Sequence, residues 1–230
     1  MKIISSLTDF LLPRYCKVCG RRLTLSEMHL CISCFIGLPV VKYENDSLSK
    51  TETLLLSERN LVRASSMIQY DKESDYRRIL LHLKYWGHPD VGCWMASIGA
   101  RLLYETDFFS DVDCIVPLPL TRGRLRQRGY NQCLYIAQGI RSVTNLPIVD
   151  NAILRHEDRR GHQAGLGLFQ RWSNVQGLFH VIDTEALRGR HLLLIDDVIT
   201  TGSTLCSLIE TLNQSVQDIR ISVFTLAITV

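Results

Sequence analysis

The chain has 230 residues, which leaves room for one α/β domain and a small additional module. Its 46% hydrophobic and 21% charged residues are typical of an ordinary soluble globular protein. The net charge of +3 is too small to predict nucleic-acid binding by itself. No apolar run approaches the roughly 20 residues that span a bilayer, which excludes a membrane-spanning helix.

The amino-terminal segment, residues 1–13, combines Lys2 with several apolar residues. Asp9 interrupts the apolar run, and no small-residue cleavage site follows it. The pattern therefore favours a short amphipathic helix packed on its own protein over a signal peptide. We expect a cytoplasmic protein.

Four of the eight cysteines form two Cys-x-x-Cys pairs, namely Cys16, Cys19, Cys31 and Cys34. The pairs are 11 residues apart, and each can place two thiolates on one metal ion, so the spacing predicts a structural zinc site with four protein ligands. The alternatives are disulfides, which a cytoplasmic location disfavours, a redox-active pair, and an iron–sulfur cluster, whose usual spacings differ. We assign residues 1–41 to a segment that contains this zinc knuckle.

The rest of the chain is predicted to be a linker followed by one domain. Residues 42–60 are polar and are interpreted as the linker, and residues 61–230 as the domain. Strands are predicted over 64–70, 114–116, 192–195 and 219–229, an extended segment over 152–154, and helices over 74–86, 91–104, 130–143 and 205–212. This alternation predicts an α/β fold with a mostly parallel sheet covered on both faces.

Four arginines at alternate positions follow the predicted strand 114–116, namely Arg122, Arg124, Arg126 and Arg128. We predict that they form a loop at the carboxyl edge of the sheet, where ligands of open α/β sheets bind. Guanidinium groups there can neutralise a pyrophosphate or bind a nucleic-acid backbone. A solvated basic loop without a ligand is the alternative.

The segment 192–205 carries the strongest functional signal. A buried strand is followed by Asp196 and Asp197, and then by a hydroxyl-rich turn that begins a helix. Gly202 and the unpaired N–H groups of the helix start suit a phosphate, whereas the carboxylates accept hydrogen bonds from sugar hydroxyls or help hold a divalent cation through waters. A ribose 5-phosphate satisfies both ends. The alternative is an ordinary turn with Ser203 or Thr204 as N-cap and two solvated aspartates.

The stretch from Asp196 to Thr204 resembles the phosphoribosyl pyrophosphate (PRPP) motif of type I phosphoribosyltransferases. The resemblance implies that the two aspartates face the ribose hydroxyls and help bind PRPP with its magnesium ion. It also implies that the turn cradles the 5-phosphate through Thr200, Thr201, Gly202, Ser203 and Thr204. The sequence is not a P-loop, because it contains no Gly-Lys-Ser/Thr.

Together with this motif, further segments resemble the ComF family, namely residues 84–87, 116–119 and 128–132, Leu154-Arg155, Gln163, Arg171, residues 174–177 and Phe179. The resemblance extends from the cysteine pairs to the carboxyl terminus. It implies a domain of the type I phosphoribosyltransferase kind with a small amino-terminal four-cysteine zinc module. It also implies an association with natural competence, in which incoming single-stranded DNA is handled on the cytoplasmic side with a helicase-like partner.

Three functional hypotheses follow. In the first, the PRPP-binding domain and the zinc knuckle handle single-stranded DNA through the four arginines, and bases stack on Tyr85, Trp86 or Tyr130. In the second, the protein is an active phosphoribosyltransferase that joins ribose 5-phosphate from PRPP to a base or amine, although no catalytic residue is identified. In the third, it is a scaffold that senses PRPP or a nucleotide without chemistry. The family resemblance ranks the first hypothesis above the others.

Overall fold

The computed structural model describes residues 13–44, 47–157 and 177–229. The amino-terminal segment through residue 12 lies outside these ranges, and so do Gln163, Arg171 and residues 174–176 of the family motifs.

The described residues contain a parallel sheet and a small antiparallel ribbon. Their strands are β1 (Leu61–Tyr70), β2 (Cys114–Pro117), β3 (Ile153–Arg155), β4 (Phe179–Val181), β5 (His191–Ile199) and β6 (Arg220–Thr229). The sheet has the order β1-β6-β5-β2, with every neighbouring pair parallel, and β3 pairs antiparallel with β4. All residues of β6 from Ile221 to Ile228 are buried, which requires cover on both faces because successive side chains point to opposite sides. The predicted α/β class with a mostly parallel sheet is confirmed.

The helices are α1 (Ile32–Ile36), α2 (Lys50–Leu54), α3 (Arg77–Lys84), α4 (Asp90–Tyr104), α5 (Arg122–Arg128), α6 (Gln132–Thr144) and α7 (Ser203–Ser215). α4 and α6 cross so closely that a Cβ atom on Gly139 would lie 2.1 Å from the carbonyl oxygen of Cys93. Glycine at this position therefore permits the packing that holds α6 against β2 and β5. In the part of the chain that the structure describes, no helix combines the length and apolar character needed to cross a membrane.

The arginine-rich segment is a helix, so the prediction of a loop was wrong. The hydroxyl of Thr121 accepts a hydrogen bond from the backbone N–H of Arg124 and caps the first turn of α5. Gly129 ends the helix with a φ of 82°, in the left-handed region that glycine tolerates. Arginine has a high helix propensity, so caps at both ends are sufficient to order a segment that lacks an apolar stripe.

The region 42–60, interpreted above as a linker, contains α2, which packs on β1. Ser49 and Glu52 form a capping box at its start, in which each side chain accepts a hydrogen bond from the other's backbone N–H. The Glu52 carboxylate also accepts from the backbone N–H of Ala64 at 3.0 Å, and the hydroxyls of Thr51 and Ser66 lie 2.7 Å apart. These buried polar contacts attach the segment after Leu48 to the edge of the sheet.

Candidate functional site

A cavity of about 480 Å³ opens where the parallel strands β2 and β5 end side by side. Open parallel sheets bind their ligands at this edge. Five parts of the chain line the cavity. They contribute Lys84, Tyr85 and Gly87; Leu118, Pro119 and Leu120; Arg124, Gln127, Arg128, Tyr130, Gln132 and Cys133; Arg155; and Asp196, Asp197, Val198 and Thr204. Both predicted aspartates and one residue of the predicted phosphate turn therefore line the same cavity.

Asp197 is buried, and both of its carboxylate oxygens have protein partners. Oδ1 lies 2.8 Å from Nζ of Lys84, and Oδ2 accepts a hydrogen bond of 2.7 Å from Nε2 of Gln132. Burial opposes the charged amine of Lys84, but the adjacent Asp197 carboxylate raises the pKa of this lysine above its ordinary value. The ion pair leaves Asp197 as a charge-compensated group inside the wall of the cavity.

Asp196 has a different environment. Its Oδ1 accepts a hydrogen bond from the backbone N–H of Asp197 at 2.8 Å and lies 3.6 Å from Sγ of Cys133. Burial, together with the neighbouring charge of Asp197, raises the pKa of Asp196 to about 7. Burial and the two carboxylates raise the pKa of the Cys133 thiol, so this cysteine is a weak hydrogen-bond donor and not a thiolate nucleophile.

The predicted phosphate turn connects β5 to α7. Gly202, with a φ of 77°, is the N-cap of α7, and no side chain caps the helix start. The alternative of an ordinary turn capped by Ser203 or Thr204 therefore does not occur. Thr200, Thr201 and Ser203 are exposed, whereas Thr204 is half-buried at the cavity. The free N–H groups of the first turn of α7 suit an anion.

The helical form of α5 divides the four arginines between two faces. Arg124 and Arg128 are four residues apart and line the cavity, whereas Arg122 and Arg126 are exposed and lie on the opposite side of the helix. Arg128 donates a hydrogen bond to Gln132, and its guanidinium lies 5.4 Å from the centroid of the Tyr85 ring. Only the first pair is therefore positioned to meet a ligand in the cavity.

Sequence reasoning missed the roles of Lys84, Gln132 and Arg155. All three lay in segments that carry the family resemblance, yet none had an assigned chemistry. Lys84 and Asp197 are more than 100 residues apart in the chain, so no local spacing could reveal the pair. Arg155 lines the cavity and packs over Phe179, with 5.3 Å between its guanidinium and the ring centroid.

The four cysteines of the amino-terminal module come together at one point. Their sulfur atoms all lie within 4.8 Å of one another, and those of Cys19 and Cys31 are 3.8 Å apart. Four sulfurs around zinc, each at about 2.3 Å, are separated by roughly 3.8 Å, whereas a disulfide would need about 2.05 Å. Burial raises the pKa of Cys16, but hydrogen bonds from the backbone of Cys31, Cys19 and Val18 outweigh it and lower the value to about 7. The cluster could hold a metal ion.

No family model matches the chain. The chain is 32% identical over 120 residues to "Competence protein F" of Haemophilus influenzae, a match that covers 49% of this chain and about half (52%) of that protein's length. It is 30% identical over 208 residues to "DNA utilization protein YhgH" of Escherichia coli K12, covering 86% of this chain and 83% of that protein.

Two solved structures have a partly similar backbone. Glutamine PRPP amidotransferase from B. subtilis, complexed with ADP and GMP, has a TM-score of 0.40 at 14% identity, covering 62% of this chain and 30% of that one. Adenine phosphoribosyltransferase from Saccharomyces cerevisiae has a TM-score of 0.37 at 12% identity, covering 69% of this chain and 81% of that one. No conclusion about ligand or reaction follows at these TM-scores. The Escherichia coli relative aligns over 86% of the chain, and Competence protein F aligns over about half of it; together they lead to one conclusion: this chain belongs to the ComF family.

Proposed function

We propose that this protein binds PRPP, or a related ribose 5-phosphate ligand, in the cavity beside β2 and β5 and handles single-stranded DNA in natural transformation. In this proposal the four-cysteine module holds a structural zinc ion, and a competence helicase is a partner. The printed names of the two relatives, which refer to competence and to DNA utilization, support the association with DNA.

One observation carries the proposal for PRPP: a single cavity is lined by the start of α7, by cationic side chains and by the carboxylate of Asp196. The N–H groups of α7 and the hydroxyl of Thr204 suit a 5-phosphate, and Thr200, Thr201 and Ser203 can add donors from the turn. Lys84, Arg124, Arg128 and Arg155 supply positive charge for a pyrophosphate. Asp196 suits the ribose hydroxyls.

The cavity also offers a ligand for the magnesium ion that accompanies PRPP in the proposal. That ligand is the carboxylate of Asp196. Among the described residues, Oδ2 of Asp196 has no hydrogen-bond partner, whereas both oxygens of Asp197 are engaged. Magnesium keeps several of its waters and binds through one or two carboxylates, so one available oxygen is compatible with it. When bound, the ion would neutralise part of the pyrophosphate charge. Asp197 would act by holding Lys84 and Gln132 in place.

Calorimetric titration tests the PRPP site. The probes are PRPP with magnesium, and ribose 5-phosphate alone. Thr204→Val removes one hydroxyl at constant size, and we expect at least about tenfold weaker binding of both probes, the effect of losing a hydrogen bond to a charged group.

Asp196→Asn, alone and with Asp197→Asn, should weaken PRPP binding in the presence of magnesium. Asp111→Asn is a matched control, because it lies in the turn before β2, at the opposite edge of the sheet. Unchanged affinity in both Thr204→Val and Asp196→Asn would reject the site.

An active phosphoribosyltransferase is the second candidate, and the environment of Asp196 favours it. Asp196 lines the cavity, and burial raises the pKa of its carboxyl group, which suits it to proton transfer while no metal ion occupies its free oxygen. Release of pyrophosphate from PRPP, screened against bases and amines, decides between a transferase and a protein that only binds the ligand. Tight binding without turnover for any acceptor favours the sensing scaffold or the DNA-handling role.

A further inference from the structure

A second cavity, of about 750 Å³, separates the four-cysteine module from the start of α4 and the end of α3. We call it the module groove and define it by Tyr15 and Lys17 on the module side and by Arg78, His82, Trp86 and Asp90 on the other. Trp86 was named above as one of three candidate stacking residues, but none of the motifs assigns a function to the groove as a whole. Its two walls are joined by a hydrogen bond of 3.0 Å, which the Arg78 guanidinium donates to the carbonyl oxygen of Val18.

Two large aromatic side chains are exposed in the module groove. Trp86 is 50% exposed and Tyr15 is 51% exposed, although such side chains are usually mostly buried. The His82 ring meets Trp86 edge to face, with 4.4 Å between the ring centroids and an angle of 81°. The indole is therefore supported from within the protein while part of its surface stays accessible. An exposed and supported aromatic ring is the feature on which unpaired bases stack, whatever their sequence.

The charge of the module groove favours an anionic partner. Lys17, Arg78 and Arg14 contribute three cationic side chains near the two rings, while Asp90 and Cys16 also line the groove and Asp75 lies 3.9 Å from Arg78. Positive charge beside exposed aromatic rings is the combination found in proteins that bind single-stranded nucleic acid.

The module groove lies next in the chain to the cavity beside β2 and β5. Tyr85 lines that cavity and carries Arg128 over its ring, whereas the next residue, Trp86, lines the module groove. Consecutive Cα atoms are about 3.8 Å apart. The two cavities are thus lined by adjacent residues of the chain, Tyr85 and Trp86.

We propose that the module groove is a binding site for single-stranded DNA, in which bases stack on Trp86 and Tyr15 while Lys17 and Arg78 contact phosphates. The assignment rests on the DNA-handling role proposed above and adds a second contact region to the arginines of α5. Double-stranded DNA is not the proposed ligand, because paired bases do not expose a face for stacking.

Fluorescence anisotropy with a labelled oligothymidylate about 15 nucleotides long tests the assignment. With the full-length, metal-loaded protein, Trp86→Ala should weaken binding about fivefold or more, and Trp86→Phe should retain most of the affinity. Lys17→Ala should reduce the slope of log K against log salt by about 0.7, the value for one phosphate contact on a single strand. Tyr15→Ala provides a second stacking variant if Trp86→Ala does not fold.

Matched controls come from outside the module groove. Tyr104 is 58% exposed at the far end of α4, and Lys42 is exposed beside β1, so Tyr104→Ala and Lys42→Ala should leave binding unchanged. Wild-type affinity and salt slope in Trp86→Ala, Tyr15→Ala and Lys17→Ala would overturn the assignment, and so would equal affinity for the duplex. If the groove variants bind like the wild type but the double variant Arg122→Ala with Arg126→Ala loses DNA affinity, the proposed function stands without the module groove. No binding by the wild type would reject both.

Discussion

At the scale of single residues, the pairing of Lys84 with Asp197 explains why the acidic pair of the PRPP motif consists of two different groups. Asp197 is buried and neutralised by a lysine amine at 2.8 Å, while Asp196 remains the carboxylate that a ligand can meet. The division of roles comes from helix α3, which is remote from β5 in sequence. Two adjacent aspartates in a sequence carry no indication of which one will be paired.

Removing Lys84 should destabilise the protein, because it leaves a buried carboxylate without its counterion. We expect Lys84→Met to lower the free energy of unfolding by about 3 kcal/mol, the usual effect of breaking a buried ion pair. Urea denaturation measures it. The double variant Lys84→Met with Asp197→Asn removes both charges and should recover part of the loss. Wild-type stability of Lys84→Met would show that the pair does not contribute to folding.

At the scale of elements, the sequence predicts the apolar strands and helices well, because burial imposes a clear period on them. β5 is the informative exception. It was predicted to end at Ile195 but continues through both aspartates to Ile199, since Lys84 and Gln132 make the burial of Asp197 acceptable. The segment of α5 was predicted as a loop because alternating arginines have neither a strand nor a helix period of apolar residues. Its two caps order it instead.

The two faces of α5 predict that its arginines separate into two functional pairs. Arg124→Ala with Arg128→Ala should weaken binding of pyrophosphate about tenfold or more, because this pair lines the cavity. Arg122→Ala with Arg126→Ala should leave pyrophosphate binding unchanged and lower the salt slope for single-stranded DNA by up to about 1.4, or two phosphate contacts.

The two double variants remove the same charge from the same helix, so each is the control for the other. Calorimetry with pyrophosphate and anisotropy with single-stranded DNA should give opposite rankings. If both variants lose both ligands to the same extent, α5 acts only through its total charge, and the division between faces has no functional meaning.

At the scale of the whole molecule, a small cysteine module packs on a much larger α/β domain through aromatic and polar contacts, with Phe35 and His29 against Trp94. The Tyr76 hydroxyl donates a hydrogen bond of 3.1 Å to the carbonyl oxygen of Cys34. The backbone N–H of Val41 donates a hydrogen bond to the carbonyl oxygen of Met67 in β1. The Cys-x-x-Cys spacing predicted the cluster because metal ligation needs only local geometry. The way in which the module meets α3 and α4 could not be predicted, since it depends on surfaces formed by distant parts of the chain.

Loss of the proposed metal ligands should unfold the module and leave the cavity beside β2 and β5 intact. We expect Cys31→Ser to reduce bound zinc from one ion per chain to none and to make residues 13–41 sensitive to protease, because a segment of this size lacks a core of its own. Cys93→Ser, which changes a half-buried cysteine outside the cluster, should keep the zinc. Metal analysis and limited proteolysis measure both. Full zinc content in Cys31→Ser would exclude a four-thiolate site.

The contact between Leu55 and Gly202 limits how the connection between module and domain can vary in length. Leu55 is fully buried, and its Cδ2 would lie 3.3 Å from a Cβ atom on Gly202, at the turn that begins α7. Residues added before Ser49 leave this contact in place, whereas residues added between Ser49 and Leu61 pull the side chain away from the turn. A different module fused to this domain should therefore be joined before Ser49. The segment from Ser49 to Leu61 should be kept as part of the α/β domain.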